Sequence, residues 1–247
     1  MTGYIGSRFD WEESTRATQC YVIASTYRSG STYLSTALWR TGVLGAPWEY
    51  FNYESEMGLM QARLGVSEFD SYLEKLLPLR TSPNGVFGFK AHFHHFESAR
   101  ERSAKFREMI AEAKFIYIDR RDKLAQAVSL AKALQERAWI SLGSPHRPPV
   151  FYSFEFIQAC LDEIKRQAEG WWRWFESSGR KPFLIVYEEL VSDSDRSVDL
   201  LRHFLRVAGE DGVPVEIPLP EKQSDEVNAD WVGRFGDEWR AKKRLRA

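Results

Sequence analysis

The residues most able to do chemistry stand at Ser25-x-x-x-x-Gly30-Ser31-Thr32, inside the stretch "ASTYRSGSTYL". This has the length and placement of a phosphate-binding loop, in which backbone N–H groups, a helix N-terminus and a cation converge on anionic oxygens. Gly30 permits close backbone approach. Ser29, Ser31 and Thr32 supply hydroxyl and N–H donors, and Arg28 supplies the cation. A nucleotide-triphosphate loop puts lysine directly after its second glycine and a glycine at its start. Here Ser31 and Ser25 occupy those places, which argues against a magnesium-bound triphosphate. The plainer alternative is an ordinary strand–turn–helix junction with Arg28 in solvent.

A second cationic group follows in "DRRDKLAQAVS". Arg121 leaves a strand end and Ser129 comes eight residues later, two helical turns along. A guanidinium beside a hydroxyl suits a second phosphate, because arginine pairs with phosphate oxygens bidentately. Alone, the cluster reads equally well as surface charge. With the first loop it points to a ligand carrying phosphates at two places. Asp119, closing "FIYID", imitates the magnesium-binding strand of a kinase and keeps a nucleotide-dependent kinase as the rival enzyme.

These groups need a scaffold. Four short apolar runs, 20–25, 86–91, 115–120 and 183–190, are near-continuous rather than alternating, as in a parallel sheet covered on both faces. Helical patterns separate them at 31–41, stopped by Gly42, and at 97–112. The stripe Ile157, Leu161, Ile164, Ala168, Trp171 and Phe175 marks a long helix, and a last one runs from a cap at Asp193 or Ser194 to Gly209. Alternation of strand and helix predicts an α/β fold, with ligands at the carboxyl ends of strands, just after Ser25, Ala91 and Ile118. Residues 139–153, rich in proline and glycine, predict an irregular segment suited to a lid.

The chain of 247 residues, 43% hydrophobic, is sized for one domain, with 1–17 as an extension and 222–247 as a terminal segment. Basic and acidic residues number 34 and 35, so a broad nucleic-acid surface is not expected. No stretch reaches the roughly 18 apolar residues of a membrane span, so no membrane insertion is expected. The amino-terminal residues do not read as a signal peptide. Cys20 and Cys160 sit in apolar contexts as buried thiols. A soluble, cytoplasmic protein is the expectation.

The stretch "STYRSGSTYLSTALWRTGVLGAPWEYFN" resembles the amino-terminal signature of the bacterial trehalose 2-sulfotransferase family. Its second block, Gly45-x-Pro47-x-Glu49-Tyr50-Phe51, fits as well, as do "FGFKAHF", "RRDKLAQAVS", "VYEEL" and "KQSDEVNADW". Tyr27 departs from the family's proline. The resemblance implies a sulfotransferase domain of P-loop-NTPase-like, three-layer α/β architecture. Its sulfuryl donor would be 3′-phosphoadenosine 5′-phosphosulfate, held at residues 28–32 and, through its 3′-phosphate, by Arg121 and Ser129. It also implies a carbohydrate or glycolipid acceptor and a homodimer.

Sulfuryl transfer needs a base for the acceptor hydroxyl and cations for the leaving group. Lys90, at a strand end, suits the sulfuryl or bridging oxygen; its alternative is a lysine reaching out to solvent. Glu49 matches the family's base, and Trp48, Tyr50 and Phe51 are expected to desolvate it and raise its pKa. His92 is the rival base, since "KAH" resembles the Lys-Thr-His of the wider sulfotransferase superfamily. Tyr27, Pro47, Trp48, Tyr50, Phe51 and Asn52 are the candidate acceptor contacts, rings for sugar faces and an amide for hydroxyls. In "HFHH", His92 and His94 share a face, but no nearby cysteine or carboxylate completes a metal site, so no metal is expected. Lys222, Gln223 and Trp231 belong to a segment that either closes over the nucleotide or forms a solvated tail. A non-catalytic nucleotide-binding scaffold is the last alternative.

Overall fold

The computed structural model describes residues 5–11, 15–136, 148–207, 212, 214–220 and 225–245. The four expected strands are β1 (Gln19–Ser25), β2 (Val86–His92), β3 (Lys114–Asp119) and β4 (Phe183–Val186). They form one parallel sheet in the order β2-β1-β3-β4. The chain leaves β1 to one side to make β2 and returns to the other side for β3. The carboxyl end of β1 is therefore a topological switch point, where a crevice opens.

Every inner strand is apolar on both faces because helices cover both. Val22, Ala24, Phe87, Phe89, Phe115 and Tyr117 face one aromatic-rich core. Against it pack α3 (Phe69–Arg80), α4 (Phe93–Arg102), α5 (Ala104–Ala111) and α7 (Phe154–Ser178). Tyr21, Ile23, Ile116, Ile118 and Ile185 face the other core, covered by α1 (Ser31–Arg40) and α9 (Ser194–Leu205). A third cluster joins α6 (Lys123–Glu136) and α10 (Glu226–Arg244) to the first half of α7. The chain also contains α2 (Glu56–Leu64) and α8 (Tyr187–Ser192).

Local chemistry explains where the elements differ from expectation. The helix expected over 97–112 is two helices, because Ser103 is extended (φ −138°) and its Oγ caps α5 by accepting from the Phe106 N–H at 3.0 Å. The strand expected to reach residue 190 stops at Val186, and "YEELVS" turns into α8. Helix α9 ends at Arg206 in the left-handed region (φ 60°), while Gly209 lies outside the described residues. Of segment 139–153, residues 148–153 are irregular and residues 139–147 lie outside the description.

The carboxyl-terminal segment is a packed helix rather than a solvated tail. Asp225 and Asn228 form a reciprocal capping box at its start, and Trp231 and Phe235 are buried against α6 and α7. At the other end, Phe9 is buried against Trp39 and Trp48, with ring centroids 4.4 and 5.3 Å away, so part of the amino-terminal extension belongs to the core.

Trp171 of α7 ties helix to sheet at the crevice. It is fully buried between Phe96 and Phe175, and its indole N–H donates to the Ser25 carbonyl at 3.0 Å. Trp171→Ala should therefore cost about 3–5 kcal/mol in urea unfolding. A cost under about 1 kcal/mol, ordinary for a surface position, would contradict this placement.

Candidate active site

A cleft of about 600 Å³ opens at the carboxyl edge of the sheet. The loop after β1, the end of β2, the start of α6 and Tyr187 all contribute to it. Gly30 has φ +92°, and a Cβ there would lie 2.1 Å from the Tyr187 ring, so only glycine fits. Beyond it α1 begins, and its first-turn N–H groups have no acceptor within the helix. Ser29 is buried, and among the described residues its hydroxyl has no hydrogen-bond partner. Gln126 of α6 pins the loop by donating to Thr26 Oγ1 at 2.9 Å and to the Tyr27 carbonyl at 2.6 Å.

Two arginines converge beyond the loop. Arg28 adopts a left-handed backbone (φ 58°), and its Nε donates to Ser129 Oγ at 3.0 Å, so the two expected anion-binding groups meet in one cradle. Burial, and next the charge of Arg120, lowers the Arg28 pKa. Arg120 lines the cleft over the Tyr187 ring, 5.2 Å from its centroid, with a buried Nε that no described residue accepts from. Two adjoining guanidiniums and an unengaged hydroxyl fit a phosphate-bearing ligand.

Arg121, the expected partner of Ser129, points elsewhere. It is exposed and paired with Glu189, while its backbone N–H donates to Glu188 at 3.1 Å. The strand ends one residue earlier than expected, so the first arginine of the pair faces the cleft and the second faces solvent. Asp119, the magnesium ligand of the kinase reading, is ion-paired with Lys123.

The opposite wall holds the ionisable groups Glu49, Lys90 and His92. Residues 46–49 run beside β2, where Trp48 bridges to Phe89 and its carbonyl accepts from the Lys90 N–H at 3.0 Å. Trp48 is buried in the core, so the following residue, Glu49, emerges at the cleft. Its Oε1 lies 2.8 Å from Lys90 Nζ and 3.9 Å from His92 Nε2, and its Oε2 accepts from Asn52 at 3.2 Å. The same Lys90 ammonium donates to Thr32 Oγ1 at 2.8 Å, linking the carboxylate to the phosphate loop.

The electrostatics reverse the expected direction for Glu49. Burial alone would raise its pKa, but the charge and hydrogen bond of Lys90 prevail, joined by His92 at the low pH where that ring is protonated, and bring it down to about 2. Burial lowers His92 to about 4, so its ring is neutral at physiological pH. Its Nδ1 lies 3.2 Å from Ser25 Oγ.

Of the expected acceptor contacts, Tyr27 and Asn52 line the cleft. The Tyr27 ring lies 4.2 Å from that of His92, and its hydroxyl is 3.2 Å from His94 Nε2. Pro47, Trp48, Tyr50 and Phe51 are buried instead. Tyr50 donates to the Ala46 carbonyl and Phe51 packs on Phe89 and Phe106. They hold the Glu49 loop in place and do not face the cleft. Lys222 and Gln223 lie outside the described residues, whereas Asn228 lines the cleft. Sequence reasoning missed Arg120, Gln126 and Tyr187. The adjacent "RR" and the steric demand of Gly30 were the signals available.

The Stf0 sulphotransferase family matches residues 20–238. A trehalose 2-sulfotransferase of Mycobacterium tuberculosis is 29% identical over 259 residues, covering 90% of this chain and 96% of that protein. One of Mycolicibacterium smegmatis is 27% identical over 252 residues, covering 87% and 93%. Among solved structures, the sulfotransferase domain of a Synechococcus olefin synthase aligns with a TM-score of 0.43 at 12% identity, covering 92% of this chain and 98% of that one. With a match that spans the sheet, the phosphate loop and the cleft, the chain belongs to the Stf0 sulphotransferase family.

Proposed function

We propose that the protein transfers the sulfuryl group of 3′-phosphoadenosine 5′-phosphosulfate to a hydroxyl of a carbohydrate or glycolipid, with Glu49 as the base. The observation that carries this reading is the chain Glu49–Lys90–Thr32, a carboxylate, an ammonium and a phosphate-loop hydroxyl linked at 2.8 Å each. The trehalose sulfotransferases among its relatives favour a disaccharide acceptor, and the assembly proposed, from the resemblance of the sequence, is a homodimer.

The N–H groups opening α1, with Ser29, suit the 5′-phosphosulfate. Arg120, Arg28 and Ser129 suit the 3′-phosphate, with Arg120 in the role first assigned to Arg121. An acceptor hydroxyl on the Glu49 side attacks the sulfur in line. Its proton passes to the carboxylate while negative charge grows on the leaving bridging oxygen. A carboxylate with a pKa near 2 is a feeble base while Lys90 holds it. Lys90 sits between carboxylate and loop, so an anionic donor competes for its ammonium. When Lys90 turns to the donor, Glu49 loses its main stabilising charge and its proton affinity rises. His92, neutral and 3.9 Å away, orients the carboxylate rather than replacing it.

Glu49→Gln should lower kcat by about 100- to 10,000-fold and leave affinity for adenosine 3′,5′-bisphosphate nearly unchanged. Activity that survives in Glu49→Gln but disappears in His92→Ala makes the histidine the base. In calorimetry, Arg120→Ala should weaken bisphosphate binding by about 10- to 100-fold and Arg121→Ala by less than about twofold. Wild-type protein that prefers ATP with magnesium to the bisphosphate contradicts the donor assignment. Because free Glu49 is ionised far below neutrality, kcat/KM should show no acid limb from this group down to about pH 5. The acid limb of kcat should lie higher, since it reports the carboxylate after Lys90 has been drawn away; coincident limbs would rule out the exchange.

A further inference from the structure

We propose that Glu54, His94 and His95 form a binding site for one divalent transition cation, zinc being the best match, on the acceptor side of the cleft. The expectation of no metal rested on the lack of a carboxylate near "HFHH" in sequence. In the fold, the turn before α2 brings Glu54 against the first turn of α4. One ring nitrogen from each histidine and one carboxylate oxygen lie within 4.8 Å of one another. His94 Nε2 is 3.9 Å from Glu54 Oε1, and His95 Nε2 is 3.6 Å from Glu54 Oε2.

The second observation is an excess of idle nitrogen. His95 is 1% exposed, and among the described residues neither of its ring nitrogens has a hydrogen-bond partner; His94 Nδ1 is likewise buried without one. Buried polar atoms are rarely left so, and an ion is one of the few explanations. Three such nitrogens on adjacent residues, with a carboxylate at ion-pair distance, describe a ligand set rather than a hydrogen-bonded core. Two imidazoles and one carboxylate suit zinc, whose bonds of 2.0–2.2 Å place tetrahedral ligand atoms about 3.4 Å apart. With every pair within 4.8 Å, no separation has to shrink by more than about 1.4 Å. Glu54 is exposed and its side chain can swing to supply that movement. Three protein ligands leave a fourth position for water on the open side, where Glu54 lines the cleft.

The consequence is mechanical. A bound cation would fasten the 52–55 turn to α4, and where His94 binds through its unpartnered Nδ1 its Nε2–H stays free to donate to the Tyr27 hydroxyl 3.2 Å away and steady that ring. The assignment is independent of the identity of the donor or acceptor.

The test uses the untagged full-length protein, stripped with chelator and titrated with zinc chloride in a calorimeter, with cobalt(II) absorption as a second readout. One zinc per chain is expected. Glu54→Gln, on an exposed side chain that the fold does not need, should weaken it at least about tenfold and remove the visible bands of four-coordinate cobalt. His95→Asn should do the same where it folds; where it does not, Glu54→Gln decides alone. Absence of stoichiometric binding, or binding unchanged in Glu54→Gln, overturns the site. Sites elsewhere, such as one involving His203, would survive the change and count against it.

Discussion

A lysine ammonium set between a carboxylate and a phosphate-loop hydroxyl is the interaction around which the cleft is organised. Lys90 is only 2% exposed, and a charge so placed is tolerable only when paired and hydrogen-bonded. Glu49 and Thr32 meet that need from opposite sides, one beside the edge strand and one in the first turn of α1. The pairing therefore fixes the distance between the wall that carries Glu49 and the loop that opens α1. It also demands rigidity from elements far from solvent. Trp48, bridged to Phe89 and packed edge-to-face with Phe9 and Trp39, sets the register that delivers Glu49 to Lys90.

The cradle shows the same economy of parts. Gly30 has no Cβ because Tyr187 occupies that space, and the ring of Tyr187 in turn carries Arg120. Arg28 reaches across to Ser129, so the loop after β1 and the helix after β3 are joined through the groups that an anion would engage. Gln126 adds a second tie between the same two elements. Closing a parallel sheet at its switch point thus assembles three segments distant in sequence into one positively charged end.

Much of this was legible in the residues. Continuous apolar runs located all four strands, and the loop glycine with its flanking hydroxyls located the cradle. Glu49 and Lys90 were legible through their motifs, though not their 2.8 Å contact, because the bridge between Trp48 and Phe89 is a tertiary pairing without local signature. For the same reason the direction of the Glu49 shift was misread: neighbouring aromatics suggested desolvation, and a lysine forty-one residues away reversed it. Trp48, Tyr50 and Phe51 looked like a sugar platform because exposed and buried rings share a composition. Arg120 and Arg121 were separable only once the strand end was known to a single residue. Glu54 and the histidines, likewise, meet only in the fold.

A crystal structure with adenosine 3′,5′-bisphosphate bound tests the central claim most directly. The 3′-phosphate should lie on Arg120, Arg28 and Ser129, and the 5′-phosphate on the N–H groups that open α1. Lys90 should have turned from Glu49 toward the 5′-phosphate, leaving the carboxylate facing the acceptor space. A 3′-phosphate held by Arg121, or Lys90 still locked on Glu49 with His92 facing the acceptor space instead, would contradict it.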